Sequence, residues 1–123
     1  MILQLLNQTF TVCQLNSIAE ADLSAPFTFL ARTDEEISLV CPVQSCPSSA
    51  LNRQDGWRCL RIAGVLDFSL IGILARVADC LAKASVPLFA VSTYNTDYIL
   101  FREQHSSAAL DALKSAGYDI LEE

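Results

Sequence analysis

After residue 56 the sequence alternates strand and helix signals in a fixed order, and this order constrains the fold more than any other feature. Residues 57–63 (WRCLRIA) place Leu60 and Ile62 on one side and Cys59 and Arg61 on the other, the two-residue period of a strand, and Gly64 ends it. From 69 to 85 the residues Leu70, Leu74, Val77, Ala78 and Leu81 recur at helical spacing and form one apolar stripe. Asp67 or Ser69 can cap this helix by accepting from the free N–H groups of its first turn, and Pro87 prevents it from continuing. Residues 87–92 read as a strand, Thr93-Tyr94-Asn95-Thr96-Asp97 as a turn, and residues 98–102 as the antiparallel return. Ser106 or Ser107 caps a second helix with the stripe Ala109, Leu110 and Leu113, Gly117 supplies a left-handed C′ position, and residues 118–121 form a last short strand.

The resulting order, β-α-β-β-α-β, is that of a ferredoxin-like α+β fold, in which two helices cover one face of a four-stranded antiparallel sheet. The first half is strand-rich. Strands are predicted over 2–6, 10–15, 27–32 and 37–41, with Thr33-Asp34-Glu35-Glu36 turning the last hairpin. Pro42, Pro47 and the pair Ser48-Ser49 then interrupt the pattern. Residues 1–56 are therefore expected to be a reduced copy of the complete unit at 57–123, without a proper first helix.

A chain of 123 residues fits one compact domain or two small half-domains sharing a core. Its 52% hydrophobic and 18% charged residues supply a core and exclude long polar disorder. The net charge of −6, with eight scattered Lys and Arg, argues against a nucleic-acid role and disfavours anionic membrane surfaces. Arg58 and Arg61 are expected on opposite faces of a strand as solvated surface. The start MILQLLNQTF lacks the features of a secretory signal, and no run reaches the roughly 18–20 apolar residues of a membrane span. A soluble, cytoplasmic protein is the expectation.

Chemistry is sparse. Cys13, Cys41, Cys46, Cys59 and Cys80 include no CxxC, and with His105 as the single histidine they are read as packed structural thiols rather than metal ligands. Asp34, Glu35 and Glu36 form a solvated turn, and no phosphate-binding glycine loop is present. No cofactor is expected. Two segments stand out. Asp67-Phe68-Ser69-Leu70-Ile71-Gly72 joins a strand end to a helix start, where free backbone N–H groups attract a carboxylate and a glycine permits close approach. The plain alternative is an ordinary capped helix. Ser92-Thr93-Tyr94-Asn95-Thr96-Asp97 offers an acid that can hold an ammonium or guanidinium, and its plain alternative is a polar hairpin turn.

Together these segments, with Gly56-Trp57-Arg58-Cys59-Leu60, resemble the small bacterial ACT-domain proteins related to the aspartate-kinase regulatory domain and to the animal cytosolic arginine sensors. The resemblance covers residues 56–121, and the first half looks like a shortened ACT unit. It implies a regulatory, non-catalytic module that binds a free amino acid at the edge between two ACT units, in one chain or across a homodimer. On that basis Asp67, Phe68, Ser69, Leu70, Ile71 and Gly72 supply backbone donors and walls, Ser92 and Thr93 line the strand, and Tyr94 and Asp97 occupy the aromatic and acid positions, Asp97 holding a positive group.

Three functions follow from this reading. The first is an amino-acid sensor acting as a homodimer. The second is an ACT-like module that has lost its ligand and docks a protein. The third is a thiol-dependent or other small enzyme, which requires a cysteine with a depressed pKa near a base.

Overall fold

The computed structural model describes residues 1–63 and 72–122. Its elements in chain order are β1 (Ile2–Leu5), β2 (Phe10–Gln14), β3 (Phe29–Arg32), β4 (Ile37–Pro42), β5 (Leu51–Ile62), α1 (Ile73–Lys83), β6 (Leu88–Ser92), β7 (Asp97–Arg102), α2 (Ser106–Ser115) and β8 (Asp119–Glu122). Three 3-10 turns, Ile18–Glu20, Val43–Ser45 and Glu103–His105, lie between them. The chain forms two compact units, one of Met1–Asn7 with Arg58–Glu123 and one of Gln8–Trp57.

The first unit carries the predicted order of β5, α1, β6, β7, α2 and β8. Its strands lie in the order β6-β7-β5-β1-β8. β1 pairs antiparallel with β5, Leu3 opposite Ile62, and parallel with β8, Leu3 opposite Ile120. The ferredoxin-like sheet therefore has a fifth strand, inserted between β5 and β8 and supplied by the segment read as part of the first half. The core sets Leu3, Leu5, Leu60, Ile62, Ile99 and Phe101 of the strands against Ile73, Val77, Leu81, Ala109 and Leu113 of the helices. Strand period 2 and helix period 3.6 are both satisfied by this one apolar layer. Cys59, on the opposite side of β5 from Leu60, is also fully buried. Arg58 and Arg61 depart from the solvated expectation. Both are half-buried and tied to neighbours, Arg58 Nη2 donating to the Leu6 carbonyl at 3.0 Å and Arg61 Nε to Gln4 Oε1 at 2.9 Å.

Both helices end in the same way. Gly117, at φ 98°, follows α2, and the amides of Gly117 and Tyr118 donate to the carbonyls of Lys114 and Leu113. After α1 a serine fills that role: Ser85 has φ 61°, and the amides of Ser85 and Val86 donate to Ala82 and Leu81. These are Schellman caps, which turn the chain out of the helix into the next strand. The expected serine N-cap of α2 is not formed. The 3-10 turn Glu103–His105 runs directly into the helix, so Ser106 is already helical, and its hydroxyl donates back to the Glu103 carbonyl at 2.7 Å.

The second unit orders its strands β3-β4-β2-β5, with the Leu51–Trp57 part of β5 at the edge. Where the first unit has helices, this one has the short turns Ile18–Glu20 and Val43–Ser45. The former is closed by a capping box: the Ser17 hydroxyl accepts from the Ala19 amide, and Glu20 Oε1 accepts from the Ser17 amide at 2.8 Å. A small core of Cys13, Leu15, Leu39 and Cys41 lies beneath, with Cys46 packed against it.

Candidate functional site

The β6–β7 hairpin is built from a threonine-closed turn. The Thr93 amide donates to the Thr96 carbonyl at 2.9 Å, and the Thr93 hydroxyl donates to the same oxygen at 2.8 Å. The β3–β4 turn repeats the first of these bonds, Thr33 amide to Glu36 carbonyl, also at 2.9 Å. Beyond the turn, Ser92 and Asp97 face each other across the strand pair, and the serine hydroxyl donates to Asp97 Oδ1 at 2.5 Å. Asp97 is thus held in one orientation at the mouth of the hairpin. Tyr94 projects from the turn, 81% exposed.

Thr96 fixes this hairpin in place. It is 5% exposed, and its hydroxyl donates to the Ile62 carbonyl at 2.7 Å, the last residue of β5. The hairpin tip therefore lies beside the strand end from which the chain departs toward α1. At the other end of that connection Gly72 holds φ 75° immediately before the helix, and the Arg76 amide donates to its carbonyl at 2.9 Å. A β-carbon placed on Gly72 would lie 3.3 Å from Arg76 Nη1, so the guanidinium reaches back over the helix start. A cation and the first-turn amides there favour an anionic group.

Of the residues singled out in the sequence, Asp67, Phe68, Ser69, Leu70 and Ile71 lie outside the described residues, as do the proposed caps of α1. Ser92, Thr93, Tyr94 and Asp97 are gathered on one hairpin, and Gly72 stands at the start of α1. Two residues were missed. Thr96 gave no signal, because a threonine in a polar turn looks like its solvated neighbours. Arg76 had one, its position four residues after a glycine that precedes a helix.

Cys59, Cys13 and Cys41 do not resemble activated nucleophiles. Burial first of all pushes the Cys59 thiol up to about 12, the Cys13 thiol to about 12 and the Cys41 thiol to about 11. Such burial keeps these three protonated, the opposite of the shift that activates a catalytic cysteine. Among the described residues no group of three or more His, Cys, Asp or Glu side chains is arranged to hold a metal ion, and no helix is long and apolar enough to cross a membrane.

Comparison with known proteins agrees with this architecture. The family model described as ACT domain matches residues 52–115. The cytosolic arginine sensor for mTORC1 subunit 1 of Rattus norvegicus is 33% identical over 98 residues, 74% of this chain. The chain spans only 30% of the length of that relative. The crystal structure of protein Atu0741 from Agobacterium tumefaciens superimposes with a TM-score of 0.88 at 31% identity, covering 99% of this chain and 92% of that one. The regulatory subunit of aspartate kinase from Thermus thermophilus, in its ligand-free form, shares the fold at 11% identity, with a TM-score of 0.66 over 94% of this chain and 96% of its own. With half of its length matched by the family model and a relative of similar size aligned almost end to end, the chain belongs to the ACT domain family.

Proposed function

We propose that the protein is a regulatory module without a catalytic step that binds a free amino acid or a similar small metabolite. The site consists of the start of α1, with residues 67–72, and the hairpin carrying Ser92, Thr93, Tyr94 and Asp97. The observation that supports this most is the bond from Thr96 to Ile62, which holds the hairpin beside the end of β5, where the segment leading to α1 begins. A ligand carboxylate suits the helix start beside Arg76, and a cationic group suits Asp97. A basic side chain such as arginine's fits the acid best, in keeping with the name of the rat relative. The reading further places the protein in the cytoplasm as a homodimer, in which a second copy's ACT unit closes the pocket.

Isothermal titration calorimetry of the full chain with each of the common amino acids tests this. Saturable heat with one of them, lost in Asp97→Ala, is expected. Equal heat in wild type and Asp97→Ala would remove Asp97 from the site, and no heat with any amino acid would favour an ACT module that docks a protein instead.

A further inference from the structure

We propose that Cys13 and Cys46 form a reversible intramolecular disulfide, a hydroperoxide-sensitive modification site lying wholly within residues 8–57. Their sulfur atoms are 3.9 Å apart, in van der Waals contact, although 33 residues separate them in sequence. A disulfide needs about 2.05 Å, so one or both side chains must close the remaining gap. The two thiols are held differently. Cys13 points from β2 into the small core and is 2% exposed. Cys46 is half-buried and follows the 3-10 turn Val43–Ser45, its amide donating to the Val43 carbonyl at 3.2 Å. It lies in an irregular segment between that turn and β5, where adjustment is easier than within a paired strand.

The segment holding Cys46 is also connected to the turn that follows β2, because Ser49 donates to the Glu20 carboxylate of the capping box. A covalent link at Cys46 would fasten the same segment to β2 at a second point. A disulfide of this span lowers the freedom of the unfolded chain, in the chain-entropy account, and so raises the melting midpoint by several degrees.

The chemistry balances with one hydroperoxide. Cys46, the more accessible thiol, attacks the O–O bond as thiolate, becoming a sulfenic acid and releasing water once its proton is counted. The Cys13 sulfur then attacks the Cys46 sulfur, the S–O bond breaks, and the Cys13 proton leaves with the departing hydroxide as a second water. Two thiols are oxidised and one peroxide is reduced. A dithiol reductant reverses the change.

The test treats the purified full chain with hydrogen peroxide, blocks the remaining thiols, and measures the intact mass and the non-reduced tryptic peptides. The expected product is a monomer lighter by two hydrogens before blocking is counted, with residues 1–32 joined to residues 33–53 and separated again by dithiothreitol. Cys41 lies in the same tryptic segment as Cys46, so both serine variants are needed. The link should persist in Cys41→Ser and vanish in Cys46→Ser, each first shown to melt cooperatively. A link that survives Cys46→Ser, cross-linking only between chains, or oxidation that leaves both peptides separate would overturn the proposal.

Discussion

The hydroxyl of Thr96 donates across 2.7 Å to the backbone carbonyl of Ile62, joining the tip of one hairpin to the end of a strand 34 residues earlier. Both partners are buried, so removing the donor leaves a carbonyl without the bond and without water. Thr96→Val keeps the shape and removes only the hydroxyl. It should cost about 1–3 kcal/mol, read as a lower urea midpoint at unchanged slope. An unchanged midpoint would mean that the hairpin is held by its strand pairing alone.

The two helix ends make opposite predictions from one geometry. Gly117 sits at φ 98° with open space where a side chain would go, so Gly117→Ala meets only backbone strain and should cost about 1 kcal/mol. Ser85 already bears that strain at φ 61°, and Ser85→Gly should relieve it, raising stability by a few tenths to about 1 kcal/mol. Paired thermal melts of the two variants check the signs.

The shared chain geometry was readable because period and punctuation agreed. Leu60 and Ile62 alternate with Cys59 and Arg61, and Gly117 closes α2 as expected. What sequence could not give was what lies across from an element. Cys59 is buried, as its reading as a packed thiol expects, yet nothing local says what covers the second face of its strand. The strand β5 begins at Leu51, earlier than expected, because Asn52-Arg53-Gln54-Asp55 is exposed and carries no apolar alternation. Ser17 and Glu20 had the spacing of a capping box, but no apolar run follows them to suggest a helix, and the turn they close is only Ile18–Glu20. At the candidate site the hairpin residues were legible as a polar turn. The contact that positions them, Thr96 to Ile62, is a long-range bond that leaves no periodic trace.

Acid should loosen the second unit through Glu20. The Ser49 hydroxyl, and then the Ser17 amide, hold its carboxyl below the usual 4.5. A carboxyl depressed in the folded state contributes stability that is present above pH 4.5 and is lost as pH falls through the folded value. Glu20→Gln retains an acceptor without a titrating charge. Between pH 6 and pH 3 its melting midpoint should therefore fall less than that of the wild type.

Alkali should act through Cys59. Its thiol is pushed from 9.0 to about 12 by burial, so the contribution is complete below pH 9 and is lost as pH rises from there toward 12. Thermal melts from pH 7 to pH 10.5 should show a decline that is shallower in Cys59→Ala, even though that variant starts from a lower midpoint because a buried side chain has been truncated.

The most direct test of the amino-acid-binding account is thermal unfolding of the full chain with each of the twenty amino acids in turn. A ligand at one hundred times its Kd adds about 2.7 kcal/mol, roughly ten degrees for a protein of this size. The account predicts such a shift with one amino acid or a small basic subset, and its loss in Asp97→Ala. The same midpoint with all twenty, at concentrations up to the millimolar range, would contradict it.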